Sequence, residues 1–404
     1  MNIRTWRVAL FALFAVNGIG AATWASRTPA IAEGLGIGVA QMAALITALP
    51  VGGIFAILAS SHIIHFLGPR RAARIALLVS ALGLTMVGVT AGLLGNYPLA
   101  FCTFLVYGFA NATSGIVINV QAAELDRMGE RTRLPMFHGT FSIGMSVGAG
   151  TAALAVLAHI PIAVHFAVAA LLLVAAAIFA ARHLTAGESL ERDEPSTFRT
   201  RMGVWLEPRT LLIGVIVLGA AFTEGTANNW LALAMVQDRA LTPAAAAGYL
   251  TVFTAAMTVG RFTGGSLTDR FGRVAVIRWS LVLAGVGVVC VVFTATPWAS
   301  ITGVVVWGLG ASVGYPLGIS AAADNPVNAA ARVSAVAAVG SIAFLIGPSI
   351  IGLIGEQTTL LLAFTVVIGL IALSLAASRA AYPPAGLAES RVEHAEAGLD
   401  LGAL

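Results

Sequence analysis

Long apolar runs separated by short polar turns recur from one end of the chain to the other. Each run is close to the length of about 20 apolar residues that a helix needs to cross a hydrocarbon layer. The pattern predicts an all-α polytopic membrane protein with twelve transmembrane helices. We place these helices at 7–30, 41–66, 73–94, 98–122, 134–157, 162–182, 210–236, 244–267, 275–295, 298–322, 331–353 and 358–379.

Two of the polar turns are related by a constant step along the sequence. One is Gly265-Ser-Leu-Thr-Asp-Arg-Phe-Gly-Arg273, and the other is Ser61-His-Ile-Ile-His-Phe-Leu-Gly-Pro69. The step is 269 − 65 = 204 for Asp269 against His65, and 272 − 68 = 204 for Gly272 against Gly68. The chain is therefore predicted to contain two six-helix halves, one of which is a diverged copy of the other.

The domain boundaries follow from the places where the apolar pattern stops. Residues 1–182 form the predicted N-terminal six-helix half, and residues 209–380 form the C-terminal half. Between them, 183–208 is rich in acidic residues and arginine, and we interpret it as a cytoplasmic linker. The tail at 381–404 carries prolines and glutamates, a composition that predicts disorder, and we place it on the cytoplasmic side.

The positions of the arginines along the chain explain its net positive charge. The chain has 404 residues, of which 58% are hydrophobic and 10% are charged, and its formal net charge is +4. Soluble domains carry about 25% charged residues, so the composition is not that of a soluble protein. All 22 basic residues are arginines, and only Arg27 and Arg239 fall near the predicted outer turns. This asymmetry predicts a protein of the lipid bilayer with both termini cytoplasmic, and it argues against nucleic acid as a partner.

The sequence lacks the motifs of several functional classes. Cys102 and Cys290 lie inside apolar runs and have no metal-ligand spacing. Glycine clusters such as Gly308-Leu-Gly310 lie inside predicted membrane helices, where they allow close helix packing. No nucleotide-binding, zinc or nucleophile motif stands in a suitable context. We expect no enzyme activity, no cofactor and no metal.

Five residues of the second polar turn carry a family resemblance. They match the pattern G-x-x-x-D-R-x-G-R and are Gly265, Asp269, Arg270, Gly272 and Arg273. In a twelve-helix repeat, this turn resembles the one between the second and third helices of a half in the major facilitator superfamily. The resemblance implies the major facilitator fold and a substrate site between the halves near the midplane. It also implies that the Asp269 carboxylate, with the two arginines, holds an inner gate shut; the alternative is that these charges only orient the loop.

The first-half turn departs from that pattern. His65 stands where the family has aspartate, and Phe66 and Pro69 stand where it has arginines. We therefore expect an asymmetric gate.

Shorter stretches resemble a bacterial branch of inner-membrane permeases near the fucose-permease group. They are Trp24-Ala-Ser-Arg-Thr-Pro29, Asn119-Val-Gln121, Phe137-His-Gly-Thr-Phe-Ser142 and Arg332-Val-Ser-Ala. This resemblance implies a location in the bacterial cytoplasmic membrane.

Uncharged amide side chains occur at membrane depth in the first and fourth helices. Asn111 and Asn119 share one face of the fourth helix, and Asn17 lies near the middle of the first. Polar groups at this depth are costly, so they usually face a cavity or a partner helix. We predict that all three line a substrate cavity suited to a hydroxyl-rich ligand; for the fourth-helix pair, the alternative is a hydrogen-bonded seam between helices.

The seventh helix holds the strongest candidate for proton coupling. Glu224 is the one acidic residue that we place well inside a span, and Asn228 lies one turn away on the same face. We predict that both line the cavity and that Glu224 carries the coupling proton. Trp230 is predicted to stack on a sugar ring or, alternatively, to anchor the outer interface. His138 is a second candidate for proton coupling, against a purely structural role.

Three other side chains have competing interpretations. Arg27 is a cation at the outer end of the first helix that could pair with Glu224, bind an anionic substrate or reach the headgroups. Trp307 and Tyr315 of the tenth helix either line the substrate cavity or pack against other helices.

Together these features predict a secondary active transporter that takes up a small polar, sugar-like solute with a proton by alternating access. One alternative is a proton-coupled efflux antiporter, although the glycines of the fifth helix lack the proline typical of exporters. Another is a membrane sensor that does not transport, suggested by the altered first-half turn. The expected partners are a small-molecule substrate, a proton and the bilayer, and we expect a monomer.

Overall fold

A computed structural model describes residues 3–127, 134–185, 203–325 and 328–383. Most of the predicted linker and nearly all of the predicted tail lie outside these described residues.

Apolar helices account for most of the described chain. Their bounds are Ile3–Ala25, Thr28–Leu35, Val39–Gly92, Tyr97–Arg127, Leu134–Leu157, Ile162–Ala175, Pro208–Gln237, Pro243–Phe271, Arg273–Phe293, Pro297–Ala311, Gly314–Ala322, Ala329–Gln357, Leu360–Ala363 and Thr365–Ala377. Short π and 3-10 turns, Ala176–Ala180, Ala181–His183 and Ser378–Ala381, extend two of them. Pro208, Pro243 and Pro297 each occupy the first turn of a helix, where the missing N–H of proline costs no hydrogen bond.

Twelve stretches of the described chain are long and apolar enough to cross a membrane, which confirms the predicted fold class. We number them as the first to twelfth spans in chain order. They begin at residues 3, 39, 62, 97, 136, 162, 208, 243, 273, 297, 331 and 360. We call the side of the bundle near Ile3, Pro208 and Ala381 the termini side, and the opposite side, near Ala25 and Val39, the far side.

The two copies of the polar turn share one backbone conformation. Gly68 has φ 73° and ψ 156°, and Gly272 has φ 81° and ψ 150°. Only glycine adopts this region readily, because a Cβ would clash there. The step of 204 residues therefore relates the same turn in both halves, even though the side chains around Gly68 have diverged.

Two interruptions depart from the predicted helices. The first span ends at Ala25, and a separate short helix, Thr28–Leu35, follows on the far side. The tenth span is broken at Ser312 and Val313, between the helices Pro297–Ala311 and Gly314–Ala322. A discontinuous helix inside a transporter exposes backbone carbonyls to partners at membrane depth, so this break marks a candidate site.

Candidate functional site

An ion pair inside the C-terminal half lies at the centre of the candidate site. Glu224 lies near the middle of the seventh span and is 9% exposed. Nη2 of Arg261, in the eighth span, lies 3.0 Å from both carboxylate oxygens and donates to them. An isolated charge at this depth is very costly, so the two ionised groups stabilise each other.

The same arginine also connects the two halves of the chain. Nη1 of Arg261 donates a short hydrogen bond to Oγ of Ser142, in the fifth span. Its Nε points to the carbonyl oxygen of Ser312, at the break in the tenth span, over 3.5 Å. One guanidinium group thus contacts three spans besides its own, and one of these belongs to the other half.

Two further titratable side chains surround this ion pair. Tyr315 follows the break in the tenth span and lies within electrostatic range of Glu224. His138 lies one turn before Ser142, is exposed and lies within electrostatic range of Arg261. The His138 ring meets the edge of Phe14 at a centroid distance of 5.3 Å. The structure therefore brings both predicted proton-coupling residues, Glu224 and His138, to the two sides of Arg261.

The amide side chains have different environments. Nδ2 of Asn17 donates to Oγ of Ser114 over 3.3 Å, which joins the first and fourth spans. Nδ2 of Asn119 donates to the carbonyl of Gly115 in its own helix, over 2.8 Å. Oδ1 of Asn111 and Oδ1 of Asn228 are buried and have no partner within the described part of the chain. Asn17 thus matches the pattern of a helix seam, whereas Asn111 and Asn228 keep an acceptor free.

Two predicted cavity residues belong to the packed core instead. Trp307 is 0% exposed, and its ring contacts Phe253 and Phe364 edge-on at 5.5 and 5.7 Å between centroids. Trp230 is also 0% exposed and packs under Gly352 of the eleventh span. In this structure both rings pack between helices, which matches the packing alternative for Trp307, and a role of either ring in the cavity remains a prediction.

Arg27 is not joined to Glu224. It is 6% exposed, and its Nη2 donates to the carbonyl of Ile160 over 3.1 Å on the far side of the first half. Burial lowers the pKa of Arg27 from its ordinary value. The described side-chain contact of Arg27 stays within the first half, where it holds the turn between the fifth and sixth spans.

The predicted gating motif is divided between two environments. Asp269 and Arg270 are exposed, as are Gly265 and Gly272, and Asp269 accepts no hydrogen bond from any described residue. Arg273 instead binds Asp324 at the end of the tenth span and donates to the carbonyl of Ala381. Arg273 therefore ties together the termini side of the C-terminal half and makes no described contact with the other half.

Asp324 accepts hydrogen bonds from two arginines at this corner of the protein. Arg273 donates to Oδ1 over 2.9 Å, and Arg209 donates to Oδ2 over 2.7 Å. Burial alone would raise the pKa of Asp324, but the hydrogen bonds and charges of Arg273 and Arg209 outweigh it and leave the pKa below its ordinary value.

Arg261 is the functional candidate that the sequence analysis missed. Its signal was present: it is an arginine inside the predicted helix 244–267, four residues before the polar turn that begins at Gly265. In the sequence, the arginines as a group indicate one side of the membrane. That group property hid the one arginine placed at the depth of Glu224.

Comparisons with known proteins agree with this architecture. A family model described as Major Facilitator Superfamily matches residues 213–400. An uncharacterized transporter of Sinorhizobium fredii, y4wD, is 32% identical over 370 residues, which cover 90% of this chain and 94% of that protein.

Solved structures show the same fold at low sequence identity. A mutant of the nucleoside transporter NupG superposes with a TM-score of 0.74 at 14% identity, covering 94% of this chain and 100% of that one. A mutant of the E. coli fucose:proton symporter FucP superposes with a TM-score of 0.63 at 16% identity, covering 93% and 98%.

Proposed function

This chain belongs to the major facilitator superfamily and transports a solute across a membrane, and from that premise we propose that it imports a small polar solute together with a proton by alternating access. The positive-inside pattern of its arginines supports placing the termini side in the cytoplasm and the far side outside the cell. Its similarity to bacterial transporters supports the bacterial cytoplasmic membrane as its location. We further propose that it acts as a monomer.

The Glu224–Arg261 ion pair is the observation that carries this proposal. Glu224 is a buried carboxylate within a span, and its partner also bonds Ser142 across the halves. When a proton neutralises Glu224, the guanidinium group loses its counter-charge. The contact between Arg261 and the other half then changes in the same step. Proton binding is thereby linked to the relative position of the two halves, which is what coupling requires.

Uncharged polar groups within the spans of both halves support this solute class. The free Oδ1 atoms of Asn111 and Asn228 can each accept a hydrogen bond from a hydroxyl or amine of the solute. They lie on the fourth and seventh spans, one in each half. Two of the structural neighbours are a nucleoside transporter and a fucose:proton symporter, and both kinds of solute carry several hydroxyl groups.

Proton movement in liposomes tests the proposal directly. The purified protein is reconstituted, and external pH is recorded while sugars, polyols, nucleosides and organic acids are added in turn. We expect alkalinisation with at least one uncharged polyhydroxylated solute. Glu224→Gln should abolish proton movement, while Glu33→Gln, which changes an exposed acid on the far side, should preserve it.

Other outcomes would reject the proposal in distinct ways. Acidification on solute addition would show antiport and therefore export. Tracer uptake without any pH change would show a facilitator that has no coupled proton. Proton-coupled uptake that persists in Glu224→Gln would remove Glu224 from the coupling step.

A further inference from the structure

The second and eleventh spans meet at the far side through a helix end. The helix Val39–Gly92 has Gly38 as its N-cap, and a glycine offers no side-chain oxygen to the free N–H groups of the first turn. Oε2 of Glu356, in the eleventh span of the other half, accepts a hydrogen bond from the backbone N–H of Ala40 over 3.0 Å. A carboxylate of the C-terminal half thus caps a helix of the N-terminal half.

Two more contacts follow the same pair of spans towards the midplane. Gly352 packs so closely against Ala43 that a side chain at position 352 would overlap with the Ala43 methyl group. Further in, the hydroxyl groups of Thr47 and Ser349 are 2.8 Å apart and share a hydrogen bond. Residues 40 and 47, like 349 and 356, are two helical turns apart, so the contact extends for about 10 Å.

From this geometry we infer that Glu356 is a gating residue that latches the far side shut in the conformation open towards the termini side. The charge explains why a carboxylate occupies this place. The N-terminus of a helix carries a partial positive charge, so an anion there is favoured, and the hydrogen bond to Ala40 fixes its position. The latch breaks when the halves separate on the far side, because its two partners belong to different halves.

The opposite side of the protein has the complementary arrangement. Asp269, which the family resemblance assigns to the gate of the termini side, is exposed and accepts no hydrogen bond from the described residues. One carboxylate is therefore engaged and the other is free. Each of the two conformations of the transport cycle is stabilised by a different acidic side chain.

Distance measurements between spin labels test the latch without any solute or proton gradient. Both native cysteines are replaced, as Cys102→Ser and Cys290→Ser, and labels are attached through Leu94→Cys and Trp298→Cys. These two positions are exposed and lie on the far side of different halves. In otherwise unchanged protein we expect the shorter distance to dominate.

Three variants then separate the latch from general effects. Glu356→Ala should raise the ratio of the long-distance to the short-distance population by about fivefold, the size expected for a charge at a helix N-terminus. Glu356→Gln keeps an oxygen acceptor but no charge, so its shift should be smaller. Glu33→Gln removes a charge from the same side and should leave the ratio unchanged.

The inference is overturned if Glu356→Ala leaves the two populations as they were, or if Glu33→Gln shifts them equally. Because this readout does not involve proton movement, failure of the latch leaves the role of Glu224 intact. Conversely, failure of the proton-coupling proposal leaves the latch intact, because a facilitator with no proton coupling would still need the far side to close.

Discussion

At the scale of single residues, the site depends on how two ionised side chains are kept inside a membrane span. The side chains of Glu224 and Arg261 are 11% and 17% exposed, so both are largely removed from water. Neutralising only one member of such a pair leaves an uncompensated buried charge. This lowers the stability of the protein more than removing both charges together.

A double-mutant cycle should show this asymmetry. We expect Glu224→Gln and Arg261→Gln each to destabilise the protein, and the double variant to lose less than the sum of the two. The coupling free energy should be about 1–3 kcal/mol. Thermal unfolding in detergent, followed by intrinsic fluorescence, measures it.

The control for this cycle is Arg71→Gln, which removes an exposed arginine from the termini side. It should be additive with Glu224→Gln. Full additivity of the Glu224 and Arg261 variants would show that the ion pair contributes no stability.

Asp324 gives a pH-dependent prediction at the same scale. Its pKa is lowered in the folded protein, so its ionised form stabilises the fold. This contribution is complete above the unfolded value of about 3.9 and is lost as the pH falls through the lower folded pKa. Asp324→Asn should therefore lower the melting temperature by a constant amount above about pH 5, and the difference should shrink below about pH 4.

Melting curves between pH 7 and pH 3 provide the measurement, with Asp269→Asn as the matched control on the same side. Asp269 is exposed and has no described hydrogen bond, so its variant should follow the unmodified protein at every pH. A difference for Asp324→Asn that grows as the pH falls would contradict the assignment.

At the scale of elements, the two polar turns show which part of the repeat has been retained. The side chains of the first turn have diverged, with His65 in place of the aspartate, yet both turns keep a glycine in the same backbone region. The backbone conformation is needed to reverse the chain between two spans, whereas the side chains of the turn can change without altering it.

Gly68→Ala and Gly272→Ala should accordingly both destabilise the protein, by about 1–3 kcal/mol each. The matched control is Gly248→Ala, since Gly248 lies in a regular helix and an added methyl group there meets no atom within 4 Å. That variant should be neutral or slightly stabilising. Thermal unfolding of the three proteins makes the comparison, and an equal loss in all three would refute it.

The elements were predictable from the sequence for a simple physical reason. A span must be apolar over its whole length, so Ile3–Ala25 or Arg273–Phe293 is visible without any knowledge of its neighbours. The break at Ser312 is a local event inside an apolar run, and composition does not register it.

The site was less accessible because its contacts depend on packing between spans. Glu224 was identified by its depth, but its partner Arg261 is 37 residues away and meets it only in the folded bundle. Trp307 shows a second limit: an aromatic ring in a span looks the same in sequence whether it faces a cavity or, as in this structure, lies between Phe253 and Phe364.

At the scale of the whole molecule, the described contacts between the halves concentrate on the far side and at mid-depth. Thr47 meets Ser349 on the far side, and Ser146 meets Thr258 over 3.3 Å near the middle of the fifth and eighth spans. This is the arrangement expected of a transporter closed on one side, and the proposed alternating access requires these contacts to break.

A disulfide between the second and eleventh spans should therefore stop transport. In a background without Cys102 and Cys290, the pair Thr47→Cys and Ser349→Cys places two sulfur atoms where hydroxyl groups are 2.8 Å apart. Oxidation should abolish solute uptake, and reduction should restore it. Each single-cysteine variant should be insensitive to oxidant, and undiminished uptake by the cross-linked protein would mean that the far side does not open.

The contacts of Arg261 also predict which residues of this protein change together during evolution. Its guanidinium group contacts the fifth, seventh and tenth spans. A substitution in any one of these spans therefore changes the hydrogen bonds that Arg261 makes to the other two. Lineages that lose Glu224 are expected to lose Arg261 as well, and substitutions at Ser142 are expected to appear in the same lineages. The cluster should evolve as a unit, and a shift in substrate or coupling ion should be recorded there as joint replacement of these three residues.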